Sequence, residues 1–192
     1  KNYEKYSKEI LKVCKKPISF EVFGDNYKSM RREALIINSW GKTIYVKIPV
    51  TNSKGKFMGS LIKELSQLNI KLNITAVYNS YQVKKILGCL KKNSKVIISI
   101  FAGRAADAGK DPIPELKKSI RMSKKFKSVK ILWASVREPY NYIQAKQIGC
   151  HLITIPPSII NKIENFGKSF EKLTKDTVLG FLKDSRKSKF KI

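Results

Sequence analysis

A chain of 192 residues, 42% hydrophobic and 28% charged, can bury one substantial core but is short for a complete eight-stranded barrel of about 250 residues. Its 40 basic and 14 acidic residues leave a net charge of +26, which brings nucleic acid and anionic membrane surfaces into consideration as partners. No apolar run nears the roughly 20 residues of a membrane span. Lys1 to Lys16 alternates charge with apolar residues, unlike a signal peptide, and does not begin with Met, which leaves room for a natural segment ahead of Lys1.

In chain order, Tyr3, Tyr6, Ile10 and Cys14 mark a leading helix, followed by a β-rich run at Ile18–Phe23. Met30, Ala34 and Ile37 recur at i, i+4, i+7 and predict a helix before the second run, Ile44–Thr51. Leu61, Leu65 and Leu68 repeat that spacing ahead of Leu72–Tyr78. Val83, Ile86, Leu87 and Leu90 form the next apolar stripe, before Val96–Phe101. Ile113, Leu116 and Ile120 form the last, before Lys130–Val136, and a sixth run falls at Leu152–Ile155. Ser158–Phe166 and Phe170–Asp184 read as two terminal helices, and the basic tail Ser185–Ile192 as loose.

Strands separated by single helices are βαβ units, which build a parallel sheet buried on both faces. Nearly unbroken apolar strands such as Val96-Ile-Ile-Ser-Ile-Phe101 agree, and no linker or low-complexity segment divides the chain, so residues 1–192 read as one domain with 159–192 as its C-terminal helices and tail. The first turn lacks the Gly-rich dinucleotide fingerprint. Gly103-Arg-Ala-Ala-Asp-Ala-Gly109-Lys110-Asp111 has one residue too many between its glycines for a phosphate loop, and no Ser/Thr after the lysine. Cys14, Cys89 and Cys150, with the single histidine His151, have neither disulfide nor zinc spacing, which suits packed thiols in a reducing cytoplasm and no metal. The basic residues are mostly lysines spread along the whole chain, and no helix-turn-helix, RNP-like or zinc-finger pattern accompanies them. They read as a solvated surface that attracts polyanions nonspecifically at low salt.

Polar residues recur inside the predicted strands: Glu21, Lys47, Asn73 with Thr75, Ser99, and Ser135 with Arg137 after Ile131-Leu-Trp-Ala134. Buried polar groups are costly unless paired. Functional groups of parallel α/β folds gather at strand carboxyl ends, so the recurrence points to one shared cavity. Taken singly, each residue has an ordinary explanation: an accidental lysine in a lysine-rich chain, a glutamate in an ion pair with a partner such as Lys47, satisfied hydroxyls, rim arginines. A buried lysine flanked by branched apolar residues is the better candidate, because burial disfavours its ammonium form and leaves a nucleophilic amine.

Six segments then resemble the transaldolase family, which includes the fructose-6-phosphate aldolases: Ser19-Phe-Glu-Val22, Val46-Lys-Ile-Pro-Val-Thr51, Leu72-Asn-Ile-Thr-Ala-Val77, Phe101-Ala-Gly-Arg104, Ala134-Ser-Val-Arg137 and Thr154-Ile-Pro-Pro157. The resemblance implies an α/β fold of the (β/α)8 TIM-barrel type, of which this chain holds strands three to eight. It implies that Lys47 forms a Schiff base with a ketose, without metal or organic cofactor. Glu21 and Thr75 match the pair that holds a catalytic water, and Asn73 and Ser99 match residues that bond the dihydroxyacetone unit. Arg104, Ser135 and Arg137 match the phosphate site, with Asp107 as a supporting acid. Where Glu21 and Phe101 stand, family aldolases tend to carry glutamine and tyrosine, so the pattern resembles a transaldolase of carbohydrate metabolism, as in the pentose phosphate pathway. It also implies phosphorylated sugar substrates, a cytoplasmic location with no membrane partner, and a homo-oligomer built partly through the helix around Phe170–Asp184.

The family's catalytic aspartate and its Thr-Thr-Asn-Pro segment, from strands one and two, do not occur in these residues. Roughly 30 to 40 residues are expected to be missing relative to the barrel's usual size. A chain of this extent alone is expected to have an open barrel edge and severely impaired catalysis. A fructose-6-phosphate-type aldolase, a catalytically inactive homologue and a basic polyanion-binding protein stay open as alternatives.

Overall fold

The alternation in the sequence is realised in a computed structural model that describes residues 2–190. Helix α1 (Tyr3–Val13) leads into β1 (Ile18–Glu21), then α2 (Tyr27–Ser39), β2 (Ile44–Pro49), α3 (Gly59–Gln67) and β3 (Leu72–Val77). There follow α4 (Ser80–Leu87), β4 (Val96–Phe101), α5 (Ala102–Asp107), α6 (Ile113–Ser123), β5 (Val129–Ala134), α7 (Tyr140–Gln147) and β6 (Leu152–Ile153). The chain ends in α8 (Pro157–Ile163) and α9 (Phe170–Ser188). By internal contacts it divides into two compact units, Lys1–Ile155 and Pro156–Ile192; the sheet lies wholly in the first.

All six strands are parallel and pair in sequence order, β1-β2-β3-β4-β5-β6. The sheet curls into half of a barrel, consistent with part of a (β/α)8 barrel. Period-two alternation sorts the side chains. Val46, Ile48, Ile74, Ile98, Ile131 and Trp133 turn outward and are at most 1% exposed. They meet the apolar stripes read from the sequence, among them Met30, Ala34 and Ile37 of α2, Leu61 and Leu65 of α3, and Val83 and Ile86 of α4. Burying each such aliphatic side chain stabilises by roughly 1.5–3 kcal/mol. Asn26 caps α2 and Asn79 caps α4, each in a reciprocal capping box with Ser29 and Gln82. These caps start the helices just past the strand ends and keep the connections short.

Strand bounds differ from the sequence reading mainly at the carboxyl ends. The second run stops at Pro49, and the fifth at Ala134 because Ser135 turns into the left-handed region at φ +65°. Helix α5 falls in a stretch where the sequence offered no apolar stripe, and α7 is likewise without one, burying only Asn141 and Ala145. The last helix continues to Ser188, four residues beyond the expected end, so the first half of the expected loose tail is helical; Lys191 and Ile192 lie outside the described residues. Among the described residues, no helix is long and apolar enough to cross a membrane.

His151, at the turn into β6, accepts the Ile131 N–H through Nδ1 at 3.1 Å, which only a neutral imidazole can do. Burial first, and then the charge of Lys130, lowers its proton affinity below the ordinary value near 6.5. Between the two values the unfolded chain binds the extra proton, so stability is full above about 6.5 and is lost as pH falls through the depressed native value. The melting temperature should drop on acidification from about pH 7 through this window. The drop should shrink in His151→Gln, and an identical pH profile in the variant would remove histidine as its source.

Candidate functional site

Inward-facing strand residues line one open cavity of about 800 Å³. Strands β1 to β4 contribute alternate positions: Ser19 from β1, Tyr45 and Lys47 from β2, Asn73 and Thr75 from β3, Ile97, Ser99 and Phe101 from β4. Leu132 and Ala134 of β5, then Ser135, Arg137 and Arg104 from the following connections, complete the wall toward the carboxyl ends. Eight of the ten residues named from the sequence therefore share this cavity, and Asp107 stands outside its lining, paired with Arg137. Glu21 joins it by pairing with Lys47.

Glu21 and Lys47 are register partners on β1 and β2, and Lys47 Nζ donates to Glu21 Oε2 at 3.0 Å. Their side chains are 28% exposed for Lys47 and 43% for Glu21. The dry environment that the flanking Val46 and Ile48 suggested is thus corrected. Those residues face the helices, while Lys47 itself looks into the open cavity beside a carboxylate.

Below this pair runs a buried hydrogen-bond chain. Ser99 Oγ donates to Asn73 Oδ1 at 2.7 Å, and Asn73 Nδ2 donates to Ser19 Oγ at 2.9 Å. It fixes the amide of Asn73 and ties β1, β3 and β4 together across the cavity wall. Ser19 escaped the sequence reading because a lone strand serine carries little information; its position two residues before Glu21, on the same strand face, was the available signal. Ser99→Ala leaves the buried Asn73 carbonyl oxygen without this donor. It should cost about 1–3 kcal/mol in urea unfolding; a loss within about 0.5 kcal/mol would mean that the chain adds little.

Thr75 is 2% exposed, and its Oγ1 has no protein hydrogen-bond partner among the described residues. The next residue, Ala76, holds φ +58°, and the pairing of β3 with β4 shifts register between Ile74 and Val77. A bulge of this kind re-aims the side chains beside it, and left-handed backbone at a non-glycine costs about 1–2 kcal/mol. Strained backbone therefore sits directly beside this buried, unpaired hydroxyl.

The cationic end of the cavity is built by two connections locked together. Arg104 stands in α5 with its guanidinium 5.1 Å from the ring centre of Phe101, which in turn packs against Tyr78 at 6.0 Å. Arg137 Nη2 pairs with Asp107 Oδ2 at 2.6 Å, joining the connection after β5 to α5. A Cβ on Gly103 would lie 1.5 Å from the Ser135 carbonyl oxygen, so only glycine permits the approach. Asn141 Oδ1, buried in α7, accepts the N–H groups of Arg137 at 3.0 Å and Glu138 at 3.3 Å. Asn141 is thus a positioning residue that the sequence did not reveal. The resulting arrangement offers an amine beside a carboxylate at one side, amide and hydroxyl groups in the middle, and two guanidinium groups at the other. Such a set can hold a polyol with an anionic end.

Comparison with known proteins gives a consistent picture. Residues 4–192 match the family described as Transaldolase/Fructose-6-phosphate aldolase. A "Probable transaldolase" of Thermoplasma volcanium is 35% identical over 190 residues, covering 97% of this chain and 78% of that protein. A "Probable transaldolase" of Nitrosopumilus maritimus is 32% identical over 177 residues, covering 86% of this chain and 76% of its own length. Among solved structures, an inosine 5' monophosphate dehydrogenase from Legionella pneumophila superposes with a TM-score of 0.58 at 15% identity, over 82% of this chain and 49% of that one. The last is a likeness of fold alone.

Proposed function

The chain belongs to the transaldolase/fructose-6-phosphate aldolase family, and we propose that it is a transaldolase-like transferase moving a dihydroxyacetone unit between sugar phosphates through a Schiff base on Lys47. The observation that carries this reading is the 3.0 Å pair between Glu21 and Lys47, the lysine of which lines the strand-walled cavity. Glu21 is the acceptor placed to take a proton from the ammonium. The freed amine adds to the ketose carbonyl, and loss of water forms the imine. Thr75 Oγ1 with Glu21 positions the water that carries protons in imine formation and hydrolysis. The protonated imine then accepts the electron pair of the adjacent carbon–carbon bond as it breaks. An aldose leaves, and a three-carbon carbanion equivalent remains for transfer to an acceptor aldose.

Asn73 and Ser99 bond the hydroxyls of the three-carbon unit, Phe101 flanks them, and Arg104, Ser135 and Arg137 receive the phosphate through charge-assisted hydrogen bonds. The six strands take the places of strands three to eight of the barrel, and the reaction runs in the cytoplasm without metal or organic cofactor. Cleavage also needs a base at the sugar hydroxyl next to the breaking bond. The aspartate that the family resemblance gives this step is not among these 192 residues. Imine formation is the step that the residues at hand serve.

Borohydride reduction in the presence of fructose 6-phosphate tests this directly. A stable adduct of the expected mass should map to Lys47. Absence of an adduct with fructose 6-phosphate, sedoheptulose 7-phosphate and dihydroxyacetone alike would sink the Schiff-base reading. Fast release of three-carbon ketose without any acceptor aldose would favour the aldolase reaction instead.

A further inference from the structure

Because all strands run the same way, every connection entering a strand lies at the barrel end away from the carboxyl ends and the cavity residues there. Their composition is one-sided. Lys15 and Lys16 precede β1, Lys42 precedes β2 and Lys71 precedes β3. Lys91, Lys92 and Lys95 lead into β4, and Lys124, Lys125 and Lys127 into β5. None of the connections entering β1 to β6 contains an aspartate, a glutamate or an arginine. Among the described residues none of these lysines forms an ion pair, and all but Lys71 are exposed. Connections at the opposite end mix signs: Asp25, Asp107, Asp111 and Glu138 stand among Lys54, Lys56, Arg104 and Arg137. Ten lysines of a chain with net charge +26 thus stand at one end of the barrel, in connections that hold no acidic residue.

We propose that this lysine-only face docks the phosphate backbone of nucleic acid, without regard to sequence. Between the connections entering β4 and β5 lies a cleft of about 390 Å³, lined by Lys91, Lys92, Lys125 and Lys127 with the polar side chains of Asn93 and Ser128. Point-charge ammonium groups beside hydroxyl and amide donors are the chemistry that holds phosphodiester oxygens. Lysine without arginine supplies attraction but no base reading. A strand of phosphates can follow a cleft, whereas a bilayer cannot. Leu68 is the only large apolar side chain exposed in these connections, too little to anchor a lipid surface. The inference does not depend on the Schiff-base reading, since it concerns other residues at the other end of the fold.

The test compares two variants of the full chain that lose the same charge. One carries Lys91→Gln, Lys92→Gln, Lys125→Gln and Lys127→Gln; the other carries Lys5→Gln, Lys63→Gln, Lys84→Gln and Lys117→Gln on helix faces. Both are checked for unchanged thermal unfolding, then titrated against a short fluorescein-labelled single-stranded RNA of mixed sequence across a potassium chloride series. The first should bind at least about tenfold more weakly at low salt, with a salt slope shallower by up to about 3, at about 0.7 per lost contact. The helix-face variant should keep most of both. Equal losses in the two variants, or no salt-dependent binding by the unmodified chain, would overturn the proposal. So would tighter binding to phosphatidylserine-containing vesicles than to RNA, lost only in the first variant.

Discussion

Lys47→Met is expected to abolish the borohydride-trapped adduct, reducing it to background, while the protein stays folded. The cavity contains a second amine, which makes the comparison informative. Lys47, Asn73, Ile97 and Lys130 are successive register partners from β2 to β5, and Lys130 also lines the cavity. Only Lys47 has a carboxylate beside it to take its proton, at 3.0 Å. Lys130→Met should therefore trap as the unmodified chain does, and Glu21→Gln should slow adduct formation by about 10²–10⁴. The stability cost of Lys47→Met should stay within about 1 kcal/mol, because its partner Glu21 is 43% exposed and water can solvate the released carboxylate. An adduct that survives in Lys47→Met but vanishes in Lys130→Met would transfer the chemistry to β5.

Gly103→Ala is expected to have the largest effect on stability of any single methyl addition near the site. The new Cβ would lie 1.5 Å from the Ser135 carbonyl oxygen and 2.9 Å from Arg137 Cγ. The first of these is a backbone atom, so no rotamer change relieves the contact; the connections after β4 and β5 must separate. Overpacking of this sort costs about 3 kcal/mol or more. In urea unfolding the midpoint should fall with little change in slope. Separation of the two connections should also break the Arg137–Asp107 pair and weaken inorganic phosphate binding at the cationic end. A variant as stable as the parent, with phosphate affinity intact, would show that the two connections are not locked by this contact.

How much of this was legible in the chain depends on which force wrote each feature. The strands could be read because their helix-facing positions are a dense set of branched aliphatics, such as Ile44, Val46 and Ile48, selected by burial. The shared cavity could be read because Lys47, Asn73, Thr75 and Ser99 interrupt that pattern at matching places. Helix α5 could not, since Ala-Gly-Arg-Ala-Ala-Asp has no apolar stripe, and its position is set by the close approach of Gly103 to Ser135. The roles of Ser19 and Asn141 depend on partners distant in the chain or on cap geometry, which local composition does not encode. The left-handed backbone of Ala76 is equally silent, because nothing about an alanine announces a bulge.

The order of the sheet also bears on how the protein is made. Each strand pairs only with the strands just before and after it, and register partners such as Glu21 and Lys47 are 26 residues apart. No pairing described here waits for the far end of the chain. A ribosome releasing this sequence therefore delivers each new strand to an edge already formed, and loop-closure cost stays nearly constant from one addition to the next. Synthesis order and assembly order coincide among these six strands, so pairing advances at one edge of the sheet. Chaperones or premature association would meet the nascent protein at that edge.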